Sequence, residues 1–385
     1  MNFFKILRFL EHGNRTVFGF PKEEQISFLN RLGEAKDDID RGYKQYLCQN
    51  QLVRPRWKIV LFNVVGAVGL PFMLLFFLLK RLVTKRGRHI DCLIEKKGMP
   101  EVVPNAVIEK YHPSEEYEVG SSLCISDVVF CWRLICCAPL HPYFVFKAMM
   151  NVARYSQLIY RYTPGTIIQF GEFSFSSSIL TDFCHRHGVK HVDVMHGEKL
   201  FNIRDAYFHY DECYVWNEHY VKLFTSMKAE PTQFVVAVPP SLKIDEDKYK
   251  NPSVYADYKY YLALYDEDTI RQIVDSMSFA AKEGKTVKYR LHPRYSDLDL
   301  LKKYVKEEAI EWPKEVNIQE SVANMGCAVG SFTTVMVQAY LSGKQVMMDD
   351  VAEKKEYEQL RSLNYILSGD GFDRLSNHQS VKCKF

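Results

Sequence analysis

Residues 166–200 read TIIQFGEFSFSSSILTDFCHRHGVKHVDVMHGEKL, and they carry the strongest secondary-structure pattern in the chain. The apolar run at 166–170 has the length of a buried strand. Residues 176–187 have helical spacing and end at Gly188, a residue that commonly terminates helices. A second strand is predicted at 191–195. A strand, a helix and another strand in this order predict a parallel β-α-β unit.

The same alternation continues on both sides of this stretch, from residue 90 onward. Further strands are predicted at 90–94, 106–108, 212–216, 234–238, 258–264, 286–291, 316–318, 327–329 and 345–348, with helices between them. The pattern is interrupted around residues 239–253, which contain several Pro, Asp and Lys residues. We therefore expect an α/β protein with two facing Rossmann-like domains. Ligands of open parallel sheets lie at the carboxyl ends of the strands, so site residues should follow strands.

The chain is long enough for two such domains and an additional segment. Of its 385 residues, 47% are hydrophobic and 25% are charged, which excludes a mainly disordered or fibrous protein. We expect four regions: an amphipathic, helical N-terminal region (1–55), a membrane-associating segment (56–89), a first Rossmann-like domain for the acceptor (90–245) and a second one for a nucleotide donor (254–385).

Residues 59–79 form an apolar run of 21 residues without a charge, long enough to cross a bilayer as a helix. Basic residues flank the run on both sides: Arg54, Arg56, Lys58, Lys80, Arg81, Lys85, Arg86 and Arg88. Residues 66–71 read GAVGLP, where a helix can kink or break. The sequence leaves three alternatives open, namely a spanning helix, a re-entrant hairpin with both ends in the cytoplasm, and a buried helix of a soluble protein.

The formal net charge of +3 hides an uneven distribution. Residues 1–90 hold 16 Lys+Arg and 7 Asp+Glu, which gives +9, and the remainder is therefore −6. This pattern argues against nucleic acid as a partner and favours an anionic membrane surface. The ten cysteines show no metal-binding spacing and are typical of a reducing compartment. We expect the protein at the cytoplasmic face of the cell membrane, without a metal or cofactor.

Two motifs of the second domain follow predicted strands. Gly330-Ser331-Phe332-Thr333-Thr334 opens a helix, where backbone N–H groups and hydroxyls suit a phosphate; ordinary helix capping is the alternative. Arg290-Leu291-His292-Pro293-Arg294 ends a strand, and its cationic side chains can neutralise a phosphate. A surface turn is the alternative there. The predicted donor-binding residues are Arg290, His292, Pro293, Arg294, Gly330, Ser331, Thr333 and Thr334.

Two segments of the first domain also follow strands. In His196-Gly197-Glu198-Lys199, either His196 or Glu198 can serve as a general base toward an acceptor hydroxyl. Gly197 permits a positive φ or the close approach of a ligand. The earlier segment begins at Gly171 and contains serines that can cap the next helix. We expect Gly171, Glu172, Ser174, Gly197 and Lys199 to line the ligand cleft.

Together these motifs resemble those of bacterial inverting glycosyltransferases of the GT-B fold, over residues 90–350. The sialyltransferase and polysialyltransferase group uses a His-Pro motif and a Ser/Thr motif to hold the CMP of CMP-sialic acid. His292-Pro293 is similar to the first motif. Ser331, Thr333 and Thr334 resemble the second, although Phe332 interrupts it.

The first domain departs from that group, whose acidic-acidic-Gly motif is replaced here by His196-Gly197-Glu198. A His-Gly at this place looks more like the polyol-phosphate transferases of teichoic acid and capsule synthesis. The resemblance implies a metal-independent glycosyltransferase with a nucleotide-sugar donor and a glycan or lipid-linked glycan acceptor. Transfer of a polyol phosphate from a CDP-linked donor and a non-catalytic membrane scaffold are the alternatives.

Overall fold

The computed structural model describes residues 19–95, 100–293 and 296–379. The chain divides into two compact units. The first contains the described residues up to His196 and the stretch Phe201–Ala237, and the second contains Gly197–Leu200 and the described residues from Val238 onward. The short segment 197–200 therefore belongs to the second unit although its neighbours in sequence belong to the first.

The first unit is built on a five-stranded, fully parallel sheet with the strand order β1-β2-β3-β4-β5. Its strands are β1 (Cys92–Ile94), β2 (Thr166–Gln169), β3 (Lys190–Val194), β4 (Glu212–Val215) and β5 (Phe234–Val236). Because each strand lies beside the next one in sequence, the order never reverses.

Helices cover both faces of this sheet. They are α1 (Lys22–Leu32), α2 (Asp38–Gln51), α3 (Trp57–Val83), α4 (Asn105–Tyr111), α5 (Val128–Cys137), α6 (Pro142–Tyr162), α7 (Ser177–Arg186) and α8 (Glu218–Ser226). Leu93 and Ile167 share one hydrophobic cluster with α2, α3, α5, α6 and α7. Cys92 and Ile168 lie in a second cluster with Val107 of α4, on the opposite face.

The N-terminal helices are part of the first unit. Ile39 and Tyr46 of α2 and Phe62 and Phe77 of α3 lie in the same core cluster as the sheet. The apolar run forms one continuous helix that passes through Pro71, so the hairpin alternative is not realised. By length and composition α3 is able to cross a membrane, with a mean hydropathy of 2.4 over its most apolar window.

The second unit contains a six-stranded parallel sheet with the order β11-β10-β9-β6-β7-β8. The strands are β6 (Ala256–Tyr261), β7 (Val287–Arg290), β8 (Ile310–Glu311), β9 (Met325–Gly330), β10 (Gln345–Met348) and β11 (Asp373–Arg374). The chain moves outward from β6 to β8 and then returns to the other side of β6 at β9. This is the Rossmann order, and its reversal lies between β6 and β9.

The helices of the second unit are α9 (Glu246–Tyr249), α10 (Glu267–Ser276), α11 (Ser278–Lys282), α12 (Leu298–Lys302), α13 (Ile318–Ala323), α14 (Thr334–Leu341), α15 (Lys354–Ser362) and α16 (Leu375–Gln379). The predicted α/β class with two parallel sheets is confirmed. Two predicted strands are wrong. Residues 106–108 lie within α4, and residues 316–318 lead into α13, whose N-terminus is capped by Asn317 accepting a hydrogen bond from the Glu320 N–H at 2.8 Å.

Candidate functional site

His196 lies two residues beyond β3 in the first unit and forms an ion-pair contact with Glu172, which follows β2. The His196 Nδ1 and Glu172 Oε2 atoms are 3.8 Å apart. The Glu172 side chain is fully buried, whereas that of His196 is 31% exposed. The distance is that of an ion pair and is too long for a direct hydrogen bond. A buried carboxylate beside a partly exposed imidazole is an arrangement in which the acid orients a base.

Two aromatic rings hold the imidazole in place. Phe170 and Phe173 both approach His196 edge-on, with ring centroids 6.0 and 5.9 Å away. Edge-to-face contacts fix the relative orientation of rings. The aromatic residues therefore limit the rotation of His196 while leaving part of its ring open to solvent.

The loop that carries Glu172 is tied to two other elements. The Gly171 N–H donates to Asp193 Oδ1 of β3 at 2.7 Å. From α2, Gln45 Nε2 donates to the Glu172 carbonyl at 2.9 Å, and Gln49 Nε2 donates to the Phe173 carbonyl at 2.8 Å. These bonds satisfy carbonyls that would otherwise be buried unpaired, so they hold the loop in one conformation.

Ser174 lies in the turn before α7, whose N-cap is Ser176. Its carbonyl accepts a hydrogen bond from Ser177 Oγ at 2.7 Å, and its hydroxyl accepts one from the Ser176 N–H at 3.3 Å. Both bonds form the turn that opens α7.

The turn after His196 depends on Gly197, whose φ of +74° is a conformation that other residues rarely adopt. Glu198 and Lys199 follow and belong to the second unit. Lys199 is only 5% exposed. The Glu198 charge acts on Tyr365: burial, with smaller contributions from Glu198 and Glu356, raises the pKa of the Tyr365 hydroxyl well above its usual value.

A pocket of about 410 Å³ lies in the second unit at the reversal of strand order. It is lined by Ala263, Leu264, Tyr265, Ser331, Phe332, Glu353 and Glu356. The first three residues follow β6 and the next two follow β9. The pocket therefore occupies the crevice outside the carboxyl ends of the two strands between which the order reverses, where ligands of such sheets bind.

Two glutamates dominate the chemistry of this pocket. Ser331 Oγ donates to Glu356 Oε2 at 2.9 Å. Burial, together with a hydrogen bond to Glu356 and repulsion from its charge, raises the pKa of Glu353 to about 8. Near neutral pH Glu353 therefore keeps its proton, and the carboxyl oxygens of the pocket suit a ligand with hydroxyl or amino donors.

The remaining residues of the Ser/Thr motif mostly build local structure. Thr333 is the N-cap of α14, and its side chain accepts from the Val335 N–H at 3.4 Å. Thr334 is the first residue of that helix and is exposed. Gly330 is buried at the end of β9. Of the predicted phosphate ligands in this motif, Ser331 is the one that reaches the pocket.

The His292-Pro293 turn is connected to the same pocket. The His292 N–H donates to Ser296 Oγ at 2.7 Å, and that hydroxyl donates to the carbonyl of Ala263 at 3.1 Å. Pro293 is exposed and His292 is partly exposed. Arg294 lies outside the described residues.

Arg290 does not fit its predicted role as a phosphate ligand. Its guanidinium is 5% exposed and donates to Glu311 Oε1 at 2.7 Å and to the Val316 carbonyl at 2.9 Å. Lys259 Nζ binds the other oxygen of Glu311 at 2.5 Å. Strand alternation along β7 does not reveal that β8 supplies a buried carboxylate to Arg290. The three side chains join β6, β7 and β8.

Several residues of these sites were missed in the sequence. Glu353 and Glu356 stand in the polar run DVAEKKEYEQL, which has the composition of a solvated helix. Gln45 and Gln49 lie in a helix for which the sequence predicted no functional residues. The spacing of four between the two glutamines, which places them on one face of a helix, was the available signal.

No protein-family profile matches this chain, and no curated protein matches its sequence. A variant of the wall teichoic acid polymerase TagF is similar in structure over 76% of this chain and 79% of its own, with 11% identity and a TM-score of 0.38. S. aureus MnaA bound to UDP is similar over 71% of this chain and 82% of its own, with 11% identity and a TM-score of 0.39.

The UDP-GlcNAc 2-epimerase of Methanocaldococcus jannaschii, in complex with UDP-GlcNAc and UDP, is similar over 68% of this chain and 76% of its own, with 12% identity and a TM-score of 0.34. These TM-scores and identities are low. The fold is therefore assigned from the order and direction of the strands in the chain's own two sheets.

Proposed function

We propose that this chain is a membrane-associated glycosyltransferase that uses a nucleotide-activated sugar. It acts at the cytoplasmic face of the cell membrane in the synthesis of a surface polysaccharide or lipo-oligosaccharide. The observation that carries the proposal is the pocket at the reversal between β6 and β9, because this is where Rossmann-type sheets hold nucleotides.

In this proposal the nucleoside is held by the carboxyl pair. Ribose hydroxyls and a base amino group donate hydrogen bonds, and Glu353 with Glu356 offers acceptors at the pocket wall. The donor phosphate stays away from these carboxyls, since the charges repel. It binds instead at the N-terminus of α14 and the His292-Pro293 turn, with Thr334 beside it.

In the same proposal His196 removes the proton from the acceptor hydroxyl. Glu172 orients the imidazole and stabilises its protonated form. The acceptor oxygen then attacks the anomeric carbon of the donor sugar, the bond from that carbon to the phosphate oxygen breaks, and the nucleotide leaves. Glu198 is the second candidate for the base. Its supporting observation is its position at the His196-Gly197 turn.

Two donors fit the resemblance of the motifs. His292-Pro293 resembles the motif of enzymes that use CMP-sialic acid, and therefore favours that donor or a related CMP-sugar. His196-Gly197 resembles the motif of the polyol-phosphate transferases, and therefore favours a CDP-linked polyol. With the second donor the protein transfers a polyol phosphate instead of a sugar. The acceptor in either case is the hydroxyl of a glycan or of a lipid-linked glycan.

The deciding experiment is a binding screen with CMP, CDP, UDP and GDP by calorimetry on the purified full chain. We expect one of them to bind, and Glu356→Gln to weaken binding about tenfold through the loss of a charged acceptor. Glu358→Gln is the matched control, because Glu358 lies on the same helix and is exposed. Failure of all four nucleotides to bind would favour a non-catalytic scaffold.

A second measurement separates the two donors. The purified protein is incubated with a glycan or lipid-linked glycan acceptor and either CMP-sialic acid or CDP-glycerol, and the release of CMP that depends on the acceptor is followed. Release from CMP-sialic acid supports sugar transfer, and release from CDP-glycerol supports polyol-phosphate transfer. His292→Ala should abolish either reaction while leaving the fold intact, and full activity in this variant would contradict the assignment of the turn.

A further inference from the structure

One face of α3 is apolar and exposed along the whole length of the helix. Its members recur every three or four residues: Trp57, Val60, Leu61, Val64, Val68, Phe72, Leu75, Phe76, Leu79, Leu82 and Val83. They range from 38% exposed at Leu61 to 82% at Leu82. With 27 residues the helix is about 40 Å long. An exposed apolar surface of this length marks a site of interaction.

The opposite face of α3 is fixed to the first unit. Phe62 stacks on Tyr143 of α6 with ring centroids 4.9 Å apart. At Gly66 the two helices are so close that a Cβ would come within 2.5 Å of the Tyr143 backbone nitrogen. The Tyr143 N–H donates to Asn63 Oδ1 at 3.3 Å, so a polar contact accompanies the packing.

The C-terminal half of α3 is fixed as well. The Leu123 N–H donates to the Phe77 carbonyl at 3.1 Å, and Arg81 Nη2 donates to Cys124 Sγ at 2.7 Å. The Arg81 guanidinium also lies over the ring of Tyr160, 3.3 Å from its centroid. Since α3 is attached from Phe62 to Arg81, it cannot cross a bilayer without drawing α6 and the core of the unit into the hydrocarbon.

A second apolar stripe begins beside α3. It contains Ile125, Val129, Trp132 and Leu140, which are between 63% and 85% exposed. Ile125 lies one residue beyond Cys124, the partner of Arg81, and Val129 and Trp132 continue at helical spacing along α5. Like Trp57, Trp132 has an amphipathic ring of the kind that concentrates at the boundary between lipid and water.

The charged residues that flank α3 in sequence are all basic, although Arg88 also pairs with the exposed Glu116 at 2.7 Å. Arg54 and Arg56 are exposed before α3, and Lys85, Arg86 and Arg88 are exposed after it. No acidic residue stands between Asp40 and Asp91. A second copy packed on this face would bring like charges together, whereas anionic lipid headgroups complement them.

The geometry points to an in-plane mode of membrane binding, in which α3 lies half-immersed in an anionic lipid surface with the α5 stripe beside it. This inference rests on the membrane association proposed above and replaces the spanning alternative. The apolar side chains enter the boundary between headgroups and acyl chains, and the basic residues at both ends of α3 contact phosphates at the same depth.

The first test is flotation of the full chain with phosphatidylcholine vesicles that contain or lack phosphatidylglycerol. We expect strong binding to the anionic vesicles. The double variant Val68→Glu, Phe72→Glu should lower the bound fraction at least about tenfold, because two exposed apolar side chains become charged. Arg56→Glu with Lys85→Glu should reduce binding to anionic vesicles alone. Ile108→Glu is the matched control, because α4 covers the opposite face of the sheet.

The second test measures depth. A tryptophan is placed at Val64, Phe72 or Leu79 in a Trp57→Phe, Trp132→Phe background, and quenching by lipids brominated at shallow or deep positions is compared. In-plane binding predicts the same shallow depth at all three positions. Deep quenching at residue 72 with shallow quenching at 64 and 79 would show a spanning helix and overturn the inference while leaving membrane association intact.

Two other results also overturn the inference. If the wild-type chain floats with neither kind of vesicle, membrane association itself fails. If the chain forms a dimer in lipid-free solution that Val68→Glu, Phe72→Glu dissociates, the face belongs to a second copy. Nucleotide binding, measured in parallel on the same variants, should stay unchanged, which keeps this test separate from that of the enzymatic proposal.

Discussion

The two sheets of this protein differ in strand order, and their strand ends differ accordingly. In the first sheet the order follows the sequence without a reversal, and the residues after β2 and β3 form a contact between His196 and Glu172 that α2 and β3 hold in place. In the second sheet the order reverses between β6 and β9, and a pocket opens there. The reversal of strand order thus places a pocket in the second unit, where Glu353 and Glu356 complete its wall, whereas the His196–Glu172 contact of the first unit depends on support from neighbouring elements.

The largest effect is expected from His196→Ala. If the first unit supplies only the base, turnover should fall about 10³-fold while nucleotide affinity stays within about twofold of the wild type. Steady-state kinetics and calorimetry on the same preparation measure the two quantities. His185→Ala is the control, because His185 pairs with Asp211 at the protein surface. Undiminished turnover in both His196→Ala and Glu198→Ala would eliminate both candidates for the base. It would also contradict the assignment of the base to the segment that follows β3.

The next largest effect concerns the second sheet. Arg290→Ala leaves the Glu311 carboxylate buried with one cation fewer, and the free energy of unfolding should fall by about 3–5 kcal/mol. Arg271→Ala removes an exposed ion pair with Asp268 and should cost less than about 1 kcal/mol. Urea denaturation gives both values. An Arg290→Ala protein with unchanged stability and lost nucleotide binding would restore the phosphate-binding role that the sequence predicts.

A smaller effect is expected from Glu172→Gln, which keeps the shape of the side chain but removes its charge. Because Glu172 acts through His196, we expect kcat to fall about 10- to 100-fold with KM nearly unchanged. Glu172→Asp should recover part of kcat. Equal changes in kcat and KM, or a loss of stability without a kinetic effect, would reduce Glu172 to a structural residue of the loop.

The smallest effect is a pH dependence of stability in the second unit. Glu353 keeps its proton in the folded protein up to about pH 8, whereas an unperturbed glutamate loses it near 4.5. Between these values the unfolded chain binds fewer protons, so the free energy of unfolding should fall as the pH rises. Solvent screening limits the change to on the order of 1 kcal/mol. Glu353→Gln should flatten this slope and Glu358→Gln should not.

The strands and their order of appearance were largely predictable from the sequence, because the runs at 166–170 and 345–348 are mostly apolar, the run at 191–195 is rich in Val, and turn residues lie beside all three. Residues 106–108 were mispredicted since a short apolar run suits a strand or a buried helix equally well. Strand ends were also correctly identified as the places for polar residues such as His196, Ser331 and His292.

The partners of those residues could not be predicted in the same way. The carboxylate of Glu311 reaches Arg290 only because β8 pairs with β7, and Glu356 reaches Ser331 only because the fold brings α15 to the loop that follows β9. Both contacts join residues more than 20 positions apart, and a single sequence carries no signal for such pairs. The ion pair of Arg290 and the hydrogen bond between Ser331 and Glu356 therefore appear only in the folded chain.

The hydrogen bonds from Gln45 and Gln49 to the loop that carries Glu172 set a limit on how this protein can be recombined. A chimera that joins a foreign N-terminal helix to residues 52–385 would keep the full parallel sheet and every strand-end motif. A foreign helix without glutamines at these two positions would nevertheless leave the carbonyls of Glu172 and Phe173 without the hydrogen bonds that Gln45 and Gln49 donate. The loop that carries Glu172 therefore depends on residues as early as Gln45. A segment exchanged between proteins should include α2 together with the strands of the first unit.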